Sequence, residues 1–119
     1  SIDTKISLTE ITPKFIRILD QFTPFGPKNL RPVFLAENVK VSGIPRVVGT
    51  NHLLACFKQN GSDKVFDAIG FNLGQFLHLI ENDDILVDIV FTIEKINKDG
   101  KLFPQLRLKD LKVRDNIQE

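Results

Sequence analysis

Residues 52–80 read HLLACFKQNGSDKVFDAIGFNLGQFLHLI, and two changes of period inside that stretch decide the fold. Leu53, Ala55 and Phe57 alternate with His52, Leu54, Cys56 and Lys58, the period of two expected of a half-buried strand. Asn60-Gly61-Ser62-Asp63 is a tight-turn sequence, so the chain doubles back into a second strand over Val65 to Phe71. The period then changes to that of a helix. Asn72 is placed to cap a short one in which Phe76, Leu79 and Ile80 face inward.

Outward from this hairpin the pattern remains that of strands. Val33 to Val41 is an earlier strand with Phe34, Leu35, Val39 and Val41 as its apolar residues, and Gly43, Pro45 and Gly49 break it into a loop that carries Arg46. Downstream, Ile85 to Ile96 is a long strand that Lys98-Asp99-Gly100 turns into a last one. In that strand Leu106 and Leu108 alternate with Arg107 and Lys109, but Leu111 and Val113 fall on the other parity, which predicts a bulge near Asp110. Three strands, one short helix and two strands is the element order of the OB fold, a five-stranded closed or nearly closed barrel. The fold class is therefore all-β dominated, with a short helix between strands three and four.

Residues 1–32 read as a linker helix and a proline-rich loop ahead of an OB domain over 33–119. Thr12-Pro13 is an N-cap followed by proline at the first helical position, and Ile11 and Ile16 are spaced as a hydrophobic staple. Phe15, Ile18, Leu19 and Phe22 make an apolar stripe, which ends where Pro24, Pro27 and Pro32 hold the chain extended or turned.

Composition bounds the function. At 119 residues, 42% hydrophobic and 26% charged, the chain is one ordinary globular domain. It has no apolar run near the ~18 residues a membrane span needs and no signal-peptide pattern, so no membrane partner is expected. The single cysteine, Cys56, suits a reducing cytoplasm. The chain opens on Ser1, as a fragment of something longer would. The scattered His52, His78 and Cys56 lack metal-ligand spacing, and no nucleophile or phosphate-loop motif occurs. Asp83-Asp84 sits in a polar turn where acids are ordinarily solvated. No catalytic residue, metal ligand or cofactor is therefore expected within these residues.

Net charge is only +1, but it is unevenly distributed. Asn60 to Glu94 holds seven acids against Lys64 alone, whereas Lys95 to Arg114 holds seven bases against Asp99 and Asp110. Such an excess is either a phosphate-binding footprint or a solvated strand face whose lysines protect an edge. OB folds receive oligonucleotides on strands two and three and on the loops after strands one and four. Those elements supply Arg46, Lys58, Lys98 and Lys101 for phosphates, and the last strand adds Arg107; for bases they offer Phe103 and Phe66, the latter being either a core ring or a stacking platform.

The chain also resembles the C-terminal region of the RecJ family, single-stranded-DNA-specific exonucleases of the DHH phosphoesterases. Ile2-Asp3 and Leu8-Thr9-Glu10-Ile11-Thr12 look like the connection leaving that family's second catalytic domain. Pro24-Phe25-Gly26-Pro27-Lys28-Asn29-Leu30-Arg31-Pro32-Val33-Phe34 is similar to its PFGxGNPxPxF signature, with Lys28 and Leu30 in place of glycine and proline. His52-Leu53, Asp67-Ala68-Ile69-Gly70-Phe71 and Gln105-Leu106-Arg107-Leu108-Lys109-Asp110-Leu111 follow in the family's order. Leu54 replaces an often basic residue. Lys98 replaces an often tryptophan one, which removes a stacking side chain from that loop and leaves phosphate contact. The resemblance implies an OB module that grips single-stranded DNA for a 5′-to-3′ exonuclease acting in DNA repair and recombination. It further implies manganese or magnesium held in DHH catalytic domains outside these residues, and single-strand-binding protein as a further partner. The competing expectation is a barrel that only braces domains or docks a protein.

Overall fold

The computed structural model describes residues 1–22, 31–82 and 84–114. Six strands, β1 (Thr4–Lys5), β2 (Phe34–Val48), β3 (His52–Gln59), β4 (Val65–Gly70), β5 (Leu86–Lys98) and β6 (Lys101–Val113), form one sheet in the order β1-β2-β3-β4-β6-β5. Because β2 also pairs with β5, the strands from β2 to β6 close into a ring. Closure depends on a short parallel seam, Asp67↔Gln105 to Ile69↔Arg107, between β4 and β6. This is the OB barrel, with β1 added in parallel to the start of β2. A two-residue strand carries no periodicity, so nothing in the sequence announces β1.

The hairpin forms as its alternation requires. Leu53↔Gly70, Ala55↔Ala68 and Phe57↔Phe66 pair across β3 and β4, and all six residues are buried. Phe34, Ala36 and Val39 of β2, Val87, Ile89 and Phe91 of β5, and Leu106 and Leu108 of β6 complete the interior. The expected bulge is present: Val90 pairs with Asp110 and Phe91 with Leu108, leaving Lys109 as the extra residue that restores Leu111 to the core. Asp99 and Gly100 both take positive φ, 53° and 84°, the type I′ geometry that matches strand twist in a two-residue hairpin.

Three local expectations are corrected. The first strand does not end at Val41 ahead of a loop; β2 runs to Val48, and the pairing shifts register between Ser42 and Arg46. A fifteen-residue strand that pairs first with β5 and then with β3 must bend, and Gly43 (φ 79°) with Pro45 supplies a bulge rather than a loop. Arg46 therefore lies on a strand, opposite Leu54. Asn72 caps nothing by its side chain. It turns through φ 61° and donates its backbone N–H to His52 Nδ1 at 3.1 Å, ahead of a 3-10 turn (Gly74–Phe76) and α2 (Leu77–Ile80).

The third concerns α1 (Pro13–Phe22). Thr12 Oγ1 accepts the Phe15 N–H at 3.1 Å as expected of the cap. However, Phe15, Ile16 and Leu19 pack on the barrel while Ile18 and Phe22 are exposed, because the helix is rotated toward the staple residue. Phe15 meets Phe34 at 5.9 Å between ring centroids, and Lys95 Nζ binds Asp20 at 2.5 Å to fasten the helix to β5. Ile6, Leu8 and Ile11 join the same core cluster. The proline-rich loop and most of the PFG segment, residues 23–30, lie outside the described residues.

Candidate nucleic-acid interface

Strand pairing aligns outward-facing residues of four strands in parallel rows. One row runs Arg46, Leu54, Ile69, Arg107 across β2, β3, β4 and β6, and the next runs Ser42, Cys56, Asp67, Gln105. Three strand spacings of ~4.8 Å separate the ends of each row, so Arg46 and Arg107 flank the face roughly 14 Å apart. Between them lies a shallow depression of about 220 Å³ lined by Ile44, Leu54, Cys56, Asp67 and Gln105 among others. Lys58 stands one row further along, opposite Lys40 and Val65.

Arg46, Lys58, Lys101 and Arg107 have no ion-pair partner among the described residues. Lys98 differs: its ammonium binds Asp67 Oδ2 at 2.7 Å and lies 5.8 Å from the centroid of the Phe103 ring. The Lys95–Arg114 excess is thus not one footprint. Lys95 is taken by Asp20, Lys98 by Asp67, and Arg114 by Asp88 and Glu37 on the far side of the barrel.

Asp67 links two groups across the face, accepting from the Cys56 thiol at 3.4 Å on its other oxygen. The hydrogen bond from Lys98 holds the Asp67 carboxyl below its ordinary range. Burial, and then the carboxylate beside it, push the Cys56 thiol up, so the sulfur stays protonated and is a poor nucleophile. The lowered folded pKa of Asp67 contributes stability that is present above the ordinary carboxylate range and is lost as pH falls through the folded value. At 45% side-chain exposure that contribution stays under about 1 kcal/mol. Asp67→Asn should therefore lower stability slightly at pH 7 and flatten the acid limb of the stability curve, measured by denaturant titration at several pH values.

Phe66 is 3% exposed in the core, beneath the Lys64 ammonium, and offers no face to a base. The parity of β4 explains this: Phe66, Ala68 and Gly70 face inward with Phe57, Ala55 and Leu53, and the outward set is Val65, Asp67 and Ile69. Phe103, 43% exposed, edges a second groove against α1 with Ile16, Arg17 and Leu102. Residue type alone points to Phe66, whereas the outward residues of this hairpin are Asp67, Ile69 and then Phe71, whose ring packs on His52. The alternation fixed by Phe57 opposite Phe66 sets which residues those are.

Among the described residues no three His, Cys, Asp or Glu side chains converge as metal ligands would. Asp84 pairs with Lys40 at 3.6 Å, and Asp83 lies outside the described residues. Among the described residues no helix is long and apolar enough to cross a membrane.

A closed ring of strands with a helix between its third and fourth members, and cations flanking one outer face, defines an OB-type domain. The family model of the RecJ OB domain matches residues 2–110, and the chain belongs to that family. Two solved structures share the fold. RecJ from Thermus thermophilus in complex with Mn2+ matches with a TM-score of 0.63 and 19% identity over 98% of this chain. The same organism's RecJ with Mg2+ matches with a TM-score of 0.51 and 18% identity over 90%. The chain spans only 16% and 15% of the lengths of those two chains. No curated protein sequence matches it.

Proposed function

We propose that this domain grips single-stranded DNA on the β2–β3–β4–β6 face and guides it to a catalytic site outside the chain. Supporting this role above all is the placement of Arg46 and Arg107, neither ion-paired among the described residues, at the two edges of a face whose middle is apolar Leu54 and Ile69. Phosphates track toward the cations while bases lie over the apolar centre. Lys58, Lys98, Lys101 and Phe103 extend the path toward the β5–β6 hairpin.

By family membership the partners are the DHH catalytic domains of a RecJ-like 5′-to-3′ exonuclease. Those domains would hold the Mn2+ or Mg2+ that cleavage uses, in the cytoplasm, with single-strand-binding protein as a further contact. The role of this domain is then to hold DNA, not to cleave it.

Lys98→Ala/Lys101→Ala in this chain should weaken oligonucleotide binding equally for all sequences, since phosphates carry no base identity. If both contact phosphates, the slope of log K against log salt should flatten by about 1.4, from ~0.7 per phosphate on a single strand. Titrations of labelled oligonucleotide indistinguishable between variant and wild type would remove this hairpin from the surface.

A second reading, a domain brace, is favoured by one observation. Ile18 and Phe22 leave an apolar strip on α1 that the barrel does not cover. As the sole role, bracing forecasts no salt-dependent binding of DNA.

A further inference from the structure

Phe71 follows the last residue of β4 and continues the outward set of Asp67 and Ile69, yet it is a large apolar ring left 46% exposed. Two neighbours hold it. The Arg107 guanidinium carbon lies 4.8 Å from the ring centroid, and His52 packs on it edge-to-face at 5.2 Å between centroids. His52 is itself fixed, because its Nδ1 accepts the Asn72 N–H at 3.1 Å. Arg107 takes no carboxylate partner among the described residues, and its Nε is buried with no hydrogen-bond partner there. Stacking on Phe71, not an ion pair, therefore orients the guanidinium.

We infer that Phe71, braced by Arg107 and His52, is a stacking platform for one nucleobase of a single strand. This site rests on the DNA-gripping role proposed above and assigns it a base contact distinct from the phosphate contacts. An aromatic ring pre-set by two planar neighbours receives a base without first ordering itself. Every base presents a π-face, so the contact is tolerant of sequence. Duplex DNA is excluded because its bases are already stacked on one another. The cation beside the ring favours this occupant over an apolar protein surface: Arg107 stays charged and offers N–H groups to the adjoining phosphate. A single ring is also too small a patch for a stable protein interface.

The chain contains no tryptophan and no tyrosine, so Phe71→Trp introduces a lone indole at this position. Its emission should be quenched by a single-stranded oligonucleotide and left unchanged by an abasic strand of equal length and charge. Phe71→Ala and Phe71→Leu should each bind single-stranded DNA about five- to 150-fold more weakly, the range expected for loss of one base–aromatic stack. The leucine variant's salt slope should equal the wild type's, because its apolar bulk keeps Arg107 in place and no phosphate contact is lost. The leucine variant keeps apolar bulk against Arg107 and His52, so loss in both variants reports the missing ring rather than a disturbed fold. If the wild type binds with salt dependence but both variants bind as tightly, or lose the same factor on the abasic strand, the platform is overturned while the gripping role stands. If the wild type shows no salt-dependent binding, both fall.

Discussion

Replacing Phe57 by alanine is expected to remove about 3–5 kcal/mol of stability, the cost of deleting a fully buried phenyl from a packed core. Phe57 has no exposed surface, sits opposite Phe66 in β4 and opposite Val41 in β2, and joins three strands at the centre of the barrel. A domain of this size holds roughly 5–15 kcal/mol in total, so the variant keeps a fraction of its stability or unfolds outright. The thermal midpoint should drop by roughly 12 °C or more, read by circular dichroism. Phe103→Ala provides the contrast, since its ring already meets solvent and its loss should cost far less. A Phe57→Ala midpoint within about 3 °C of wild type would mean that β3 does not present this residue to the core.

Reversing three charges on the outer face should have the largest effect on binding. Arg46→Glu/Lys58→Glu/Lys101→Glu alters cations that lack ion-pair partners among the described residues, so no internal salt bridge is broken. Each reversal removes an attraction to phosphate of at least ~1 kcal/mol at contact distance and substitutes a repulsion. Affinity for a single-stranded oligonucleotide should fall a hundredfold or more at low salt. The log–log salt slope should lose about 2 if each side chain contacts one phosphate. All three positions are on the surface, so the thermal midpoint should move little, and a melt run beside the titration separates binding from folding.

Why some of this was legible in the sequence follows from the range of each interaction. The β3–β4 hairpin, the Asp99-Gly100 turn and the bulge at Lys109 rest on local alternation and turn chemistry, which a sequence displays directly. Gly43 and Pro45 misled because a bulge inside a bent strand uses the same residues as a loop. The α1 stripe differs from the expected one, with Ile16 packed and Ile18 and Phe22 exposed, because contact with Phe34 sets the helix rotation. Charge along the chain is the weakest guide. Lys95 and Asp20 are 75 residues apart and Lys98 and Asp67 are 31 apart, so only the fold reveals which cations are already neutralised. Phe66 entered the candidate surface on residue type, but it pairs with Phe57 and shares its burial. The same register brings Asp67, Ile69 and Phe71 to the face that Arg46 and Arg107 flank.

The most direct test of the gripping role is a titration of this chain with a labelled single-stranded oligonucleotide and its duplex at salt concentrations from about 50 to 200 mM. The expected result is preference for the single strand, with log K falling linearly in log salt at about 0.7 per phosphate neutralised, and that dependence reduced in the Arg46→Glu/Lys58→Glu/Lys101→Glu variant. Binding that is absent at the lowest salt, or equal in wild type and variant across the series, would contradict it.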